Sequence, residues 1–220
     1  MTSQNVLDFW FTPSNDRDLE THKNHVQWQM RGEADAEIIR LFADCTEAAS
    51  IGELDNWAET PQGRLALIIV LDQFSRSVFR DDKHAFMQDD KALMFALESL
   101  VNGDYDAFEH PWEKTFINIA ITHAEGPDLL ERIDATIVRA DAIVALSPEH
   151  LKPIYQMSAN HNREIREVIA SFGRYPHRNN LLGRETTPEE AVYLAKGDLP
   201  HQRQLEVPSR DASDRDSLIG

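Results

Sequence analysis

Apolar residues along this chain recur at spacings of three and four, the period of a helix that buries one face. Residues 33–50 place Ile38, Leu41, Phe42 and Cys45 on one side and stop at Gly52. Residues 84–101 repeat the pattern with Phe86, Leu93, Ala96, Leu97 and Leu100 until Asn102-Gly103 ends it. Pro111, suited to a first helical turn, opens a segment that Gly126-Pro127 breaks. Residues 128–146 bury Leu129, Leu130, Ile133, Ile137 and Val144 before Ser147-Pro148. From about residue 150, Ile154, Ser158, His161, Ile165, Val168 and Phe172 keep the period until Gly173. At 187–190, TPEE offers Thr187 as N-cap, Pro188 at the first helical position and Glu190 to close a capping box. No alternating, strand-like run exceeds four or five residues. The pattern predicts an all-α fold with residues 1–196 as one helical domain. From Gly197 to Gly220 the chain is polar and lacks an apolar period, which predicts a loosely packed or disordered tail.

One helix breaks the amphipathic rule. Thr60-Pro61 opens it, and Leu65, Leu67, Ile68, Ile69, Val70 and Leu71 leave no polar face over two turns, so it is expected to run through the core. Asp72, Arg76 and Arg80 then follow at i, i+4 spacing, with Asp72 and Arg76 on the side of Leu65, Ile68 and Ile69. A charge placed there has to be paired, since a lone buried charge costs several kcal/mol. Two readings follow. Asp72, Gln73 and Arg76 are a structural ion network, or they floor a cleft in which Asp72 is a working carboxylate and Arg76 and Arg80 anchor an anion.

Composition narrows the classes of function. A net charge of -16 repels phosphate backbones and anionic lipid, so neither nucleic acid nor a membrane surface is an expected partner. Cys45, the single cysteine, excludes an intramolecular disulfide and a cysteine-based metal cluster, and its register makes it a small core residue. The N-terminal residues lack a basic, apolar leader pattern, and LALIIVL at 65–71 is far too short to span a bilayer, so a cytoplasmic location is expected.

Two further features carry candidate chemistry. His123 shares a face with Trp112, Phe116, Ile119 and Ala120 near a predicted helix C-terminus, where the helix dipole favours imidazolium and a carboxylate partner. Glu125 lies about 200° further round and can join His123 only if the helix has already ended. The segment FGRYPHRNNLLGR at 172–184 is the one basic island, holding Arg174, His177, Arg178, Asn179 and Arg184 with no acid between Phe172 and Arg184. Gly173 and Pro176 make it a loop after a helix end. Its arginines either take an external carboxylate or phosphate or lock onto Asp72, Glu125 or other buried acids. No phosphate-cradling GxxxxGK, GxGxxG or GxSxG pattern occurs, and no cofactor or metal is implied.

Together VLDFWF at 6–11, GRLALIIVLDQFSRSVFR at 63–80, ITHAE at 121–125 and FGRYPHRNNLLGRETTPEE at 172–190 resemble the bacterial domain-of-unknown-function 924 family over about residues 5–195. The resemblance implies stacked antiparallel helix pairs, similar to a tetratricopeptide-repeat-like superhelix, without an established reaction. Family members commonly carry a His shortly before the FGR motif, where this chain has Ile165. The motif residues carried over are Asp72, Gln73, Arg76, His123, Glu125, Arg174, His177, Arg178, Asn179 and Arg184.

Three functions compete on this reading. The first is a module that binds an anionic small molecule or peptide carboxylate through Gln73, Arg76 and the basic loop. The second is an enzyme of hydrolytic type, in which Asp72 or Glu125 with His123 or His177 forms an acid–base pair. The third is a protein-interaction scaffold whose motif charges are purely structural.

Overall fold

The computed structural model describes residues 1–11, 18–197 and 199–200. Its helices are α1 (Ser3–Trp10), α2 (Leu19–Met30), α3 (Asp35–Ser50), α4 (Pro61–Ile69), α5 (Ser75–Val78), α6 (Asp89–Asn102), α7 (Asp104–Ala107), α8 (Pro111–His123), α9 (Leu129–Leu146), α10 (Lys152–Phe172) and α11 (Pro188–Ala195). There is no strand among the described residues, so the fold is all-α. No helix among them is long and apolar enough to cross a membrane.

The first half of the chain is arranged around α4. Thr60 caps this helix by accepting the Gly63 N–H at 3.1 Å, and Pro61 takes the first position, where its missing N–H costs nothing. Every residue from Leu65 to Leu71 is at most 1% exposed, as expected for a helix without a polar face. Helices α1, α6, α7 and α8 pack on α4, while α3 covers its continuation. Val6, Leu7 and Trp10 of α1 join that core, where Trp10 and Phe9 meet Phe42, Phe74 and Phe116 edge-on or tilted. Beyond it, α8, α9 and α10 pack in succession around Leu129, Ile133, Ile165, Ile169 and Tyr175.

The α4 segment does not continue as one regular helix. Val70–Phe74 is π-helical before α5 resumes, so the turn that carries Asp72 and Gln73 is wider than its neighbours. Such bulges are rare and are frequently found at functional sites. A second departure from the sequence pattern precedes α6, which begins at Asp89 rather than at residue 84. Lys83–Ala85 forms a 3-10 turn instead, because the Asp82 side chain accepts the His84 N–H at 2.8 Å. Leu41 and Leu97, placed in buried stripes by periodicity, sit at the stripe margins and are more than a third exposed. Cys45 is a buried free thiol, pushed up to about 11 by burial and therefore protonated and inert at neutral pH. The last described residues, Leu199 and Pro200, are buried, although the tail was expected to pack loosely from Gly197. The remainder of that tail lies outside the described residues.

Candidate functional site

The π-helical turn presents Asp72, only 1% exposed, toward the C-terminal end of α8. There His123 Nδ1 lies 2.7 Å from Asp72 Oδ1. An ionised carboxylate can only accept, so Nδ1 carries the proton and Nε2 is the basic nitrogen of the neutral ring. The imidazole is about a third exposed, with a relative side-chain exposure of 31%, and no protein group among the described residues hydrogen-bonds Nε2. Burial pushes the Asp72 carboxyl up. The opposing pull of His123, Arg76 and the Gln73 amide is larger and holds it well below the usual carboxylate range.

Behind this pair the charges form a closed chain. Arg76 Nη2 lies 3.4 Å from Asp72 and 2.7 Å from Asp89, and its Nη1 donates to the Ala85 carbonyl. Arg178 Nη1 donates to Asp89 Oδ2 and to the His123 carbonyl, each at 2.9 Å. Phe86 is stacked by both guanidiniums, at 4.9 Å for Arg76 and 4.6 Å for Arg178, and Tyr175 covers Arg178 at 4.4 Å. Two carboxylates thus face two arginines, and the cluster is neutral with a neutral imidazole.

The end of α8 is held with equal care. A helix leaves its last carbonyls without intrahelical donors. Here Arg132 donates to the carbonyls of Ile121 and Ala124, Tyr175 Oη to Thr122 at 2.6 Å, and Arg178 to His123. Ala124 is extended, so the helix has ended before Glu125, which turns away from His123. Glu125 accepts the Tyr175 N–H at 2.7 Å and pairs with Arg184, which also donates to the Tyr175 carbonyl at 3.0 Å. The basic loop is therefore strapped to the α8 end.

The sequence-derived candidates separate into groups on this geometry. Asp72, Gln73, Arg76, His123 and Arg178 come together. Glu125 joins Arg184 and the loop backbone, without a hydrogen bond to His123. Arg174 forms a two-pronged pair with Glu190 at 2.7 and 2.9 Å, and Asn179 donates to the same carboxylate at 3.0 Å. His177 is half-buried with its ring 5.6 Å from that of Tyr175. Arg80 pairs with Asp35 at the periphery. The guanidiniums suggested as anchors for an external anion, those of Arg174, Arg178 and Arg184, are each met by a carboxylate of the chain, because the loop folds onto helices that supply Glu190, Asp89 and Glu125.

Sequence reasoning passed over Asp89, Arg132 and Tyr175. Asp89 was legible in principle, since it shares the register of Ala92, Leu93 and Ala96 on the buried side of α6. Arg132, beside Leu129 and Ile133, carried the same signal.

Glu190 has a readable acid response. Its carboxyl is held down to about 2, first by the Arg174 hydrogen bonds and then by the Thr187 N–H and Asn179. A depressed folded-state value contributes stability that is complete above the ordinary glutamate range and is lost as pH falls through it toward 2. The melting temperature of the wild type is expected to fall more steeply between pH 5 and 2.5 than that of Glu190→Gln. Parallel curves for the two proteins would refute the assignment.

The chain is an all-helical scaffold in which a buried carboxylate meets a part-exposed imidazole at a π-helical turn. Residues 6–198 match the family described as bacterial protein of unknown function (DUF924), and the chain belongs to that family. Its structure is similar to that of a protein of unknown function, ATU0120, from Agrobacterium tumefaciens. The two are 31% identical with a TM-score of 0.62, over 89% of this chain and 97% of that one. No curated protein matches.

Proposed function

We propose that the protein is an acid–base catalyst of hydrolytic type, with His123 Nε2 as the general base and Asp72 as the group that orients and polarises the ring. The observation that carries this reading is the 2.7 Å contact between His123 Nδ1 and Asp72, which leaves Nε2 of a part-exposed imidazole without a protein partner. A carboxylate on Nδ1 selects the tautomer and stabilises the imidazolium that forms when Nε2 accepts a proton. In the step this supports, Nε2 takes a proton from a water as its oxygen attacks an acyl carbon, and returns the proton to the leaving group. Gln73 and Arg76 hold Asp72 in place for this role.

Binding of an external anion through Arg174, Arg178 and Arg184 has less support, because a ligand would have to displace a carboxylate of the chain from each. Glu125 with Arg184 and Glu190 with Arg174 act on this reading as the straps that keep the α8 end in position.

The test is turnover of a panel of chromogenic esters by the wild type, His123→Ala and Asp72→Asn. Removing a general base costs about 10²–10⁴-fold in rate, so at least one ester is expected to lose hydrolysis on that scale in His123→Ala. Asp72→Asn should lose a comparable factor with the wild-type ester preference. Equal hydrolysis by wild type and His123→Ala on every ester would remove the proposal.

A further inference from the structure

Asp89 stands at the centre of the charges behind the Asp72–His123 pair. It is the first residue of α6, where the positive end of the helix dipole favours a carboxylate, and it is only 4% exposed. Its two oxygens take different arginines. Oδ1 lies 2.7 Å from Arg76 Nη2, and Oδ2 accepts from Arg178 Nη1 at 2.9 Å. Burial pushes the carboxyl up, against the opposing pull of Arg76 and Arg178.

Both arginines also touch the pair. Arg76 Nη2 lies 3.4 Å from Asp72 Oδ1, the same oxygen that His123 Nδ1 meets at 2.7 Å. The guanidinium and the imidazole therefore share one acceptor, and the guanidinium stands closer to Asp89 than to Asp72. Arg178 uses the nitrogen that Asp89 holds to donate to the His123 carbonyl at 2.9 Å. A ring of contacts thus runs from the imidazole through Asp72, Arg76, Asp89 and Arg178 back to the His123 backbone, and Asp89 joins its two halves. The charged groups packed around His123 are Asp72 of the π-helical turn, Arg76 of α5, Asp89 of α6 and Arg178 of the loop. Beyond the α8 end, Glu125 and Arg184 neutralise each other.

We infer that Asp89 is a positioning residue of this site: it holds Arg76 back from the Asp72 oxygen that carries His123 and offsets the charge of Arg178, so that a proton taken up by Nε2 enters a neutral cluster. The inference rests on the acid–base reading above and adds a second carboxylate to it. Without Asp89, two guanidiniums would face Asp72 alone, and Arg76 would be free to close on Oδ1. The cluster would then be positive before the proton arrives, which opposes formation of the imidazolium.

The experiment follows the imidazole resonances of His123 with pH by NMR in the full chain, assigned by their loss in His123→Gln. The proteins compared are the wild type, Asp89→Asn, Arg76→Gln and the double variant. The midpoint of the His123 titration is expected about one pH unit lower in Asp89→Asn than in the wild type, and higher in Arg76→Gln. In the double variant, which has lost one charge of each sign, it returns toward the wild-type value. A residue that only held the fold together would move the midpoint the same way in both single variants, toward that of an unfolded histidine. Where Asp89→Asn folds poorly, the double variant is compared with Arg76→Gln, and the lower midpoint is expected in the double variant. An unchanged midpoint in Asp89→Asn, a shift there of the same sign as in Arg76→Gln, or equal midpoints in the second comparison would overturn the inference. The readout needs no turnover. The expected shifts without ester hydrolysis by the wild type would remove the general-base reading while upholding the coupling of Asp89 to His123. Hydrolysis that depends on His123, with no such shift, would remove the role of Asp89 alone.

Discussion

Arg178→Ala is expected to destabilise the protein by about 3–5 kcal/mol, the usual cost of removing one partner from a buried ion pair. The arginine is 4% exposed and its side chain serves three elements together. It pairs with Asp89 of α6, it satisfies the His123 carbonyl at the end of α8, and it is sandwiched between Phe86 and Tyr175. Truncation leaves Asp89, also buried, with Arg76 alone and leaves a buried carbonyl without its side-chain donor. For a chain of this size each kcal/mol is worth roughly 2–4 °C, so a fall in melting temperature of about 10 °C is expected. Arg178→Lys should recover part of the loss, since a point charge can reach Asp89 but cannot serve the carboxylate and the carbonyl in the geometry of a flat guanidinium. A loss below about 1 kcal/mol in denaturant unfolding of Arg178→Ala would place the residue outside the network described above, because that is the range of surface ion pairs.

Gly63→Ala tests a steric contact in the opposite half of the protein. By helix propensity alone the change should stabilise α4 by up to about 1 kcal/mol. A Cβ at this position, however, would stand 2.1 Å from the Trp57 carbonyl oxygen and 2.9 Å from Thr60 Oγ1, the atom that caps the helix. The obstructing oxygen is backbone in the 3-10 turn Asp55–Glu59, so no side-chain rotation relieves the clash. Either the turn moves off α4 or the cap is lost, and the expected outcome is a destabilisation of about 3 kcal/mol, the upper range for overpacking. Gly173→Ala is the informative contrast. Nothing lies within 4 Å of its Cβ, and only its left-handed φ of +68° opposes the change, for a cost of about 1 kcal/mol. If Gly63→Ala proves as mild as Gly173→Ala, the close approach of the Trp57 carbonyl is not maintained in solution.

The helices themselves were largely legible. The stops at Gly103 and Gly173 are left-handed helix ends in the structure, and the capping box at Thr187 and Glu190 is formed as its spacing implied. Propensity, capping and periodicity are local, and they act through residues within one or two turns of each other. The element start misjudged at residue 84 has an equally local cause, the Asp82 cap that favours a 3-10 turn, but its signal is a single side chain and was outweighed by the apolar period. The π-helical turn at Val70–Phe74 left no mark, because the apolar run Leu65–Leu71 that leads into it is compatible with any helical phase.

Local patterning was enough to establish the helical class, the buried course of α4, and the need of Asp72 and Arg76 for partners. Those conclusions rest on short-range geometry and on the cost of an unpaired charge in the interior. Which partner each charge found was decided only by the tertiary structure. His123 meets Asp72 across 51 positions, Arg178 meets Asp89 across 89, and Arg184 meets Glu125 across 59. Charge attraction is non-specific, and a chain with 38 acids gives every arginine many possible mates. Packing of α6, α8 and the 173–184 loop around α4 selects among them, and in doing so leaves His123 Nε2 without a protein hydrogen-bond partner among the described residues.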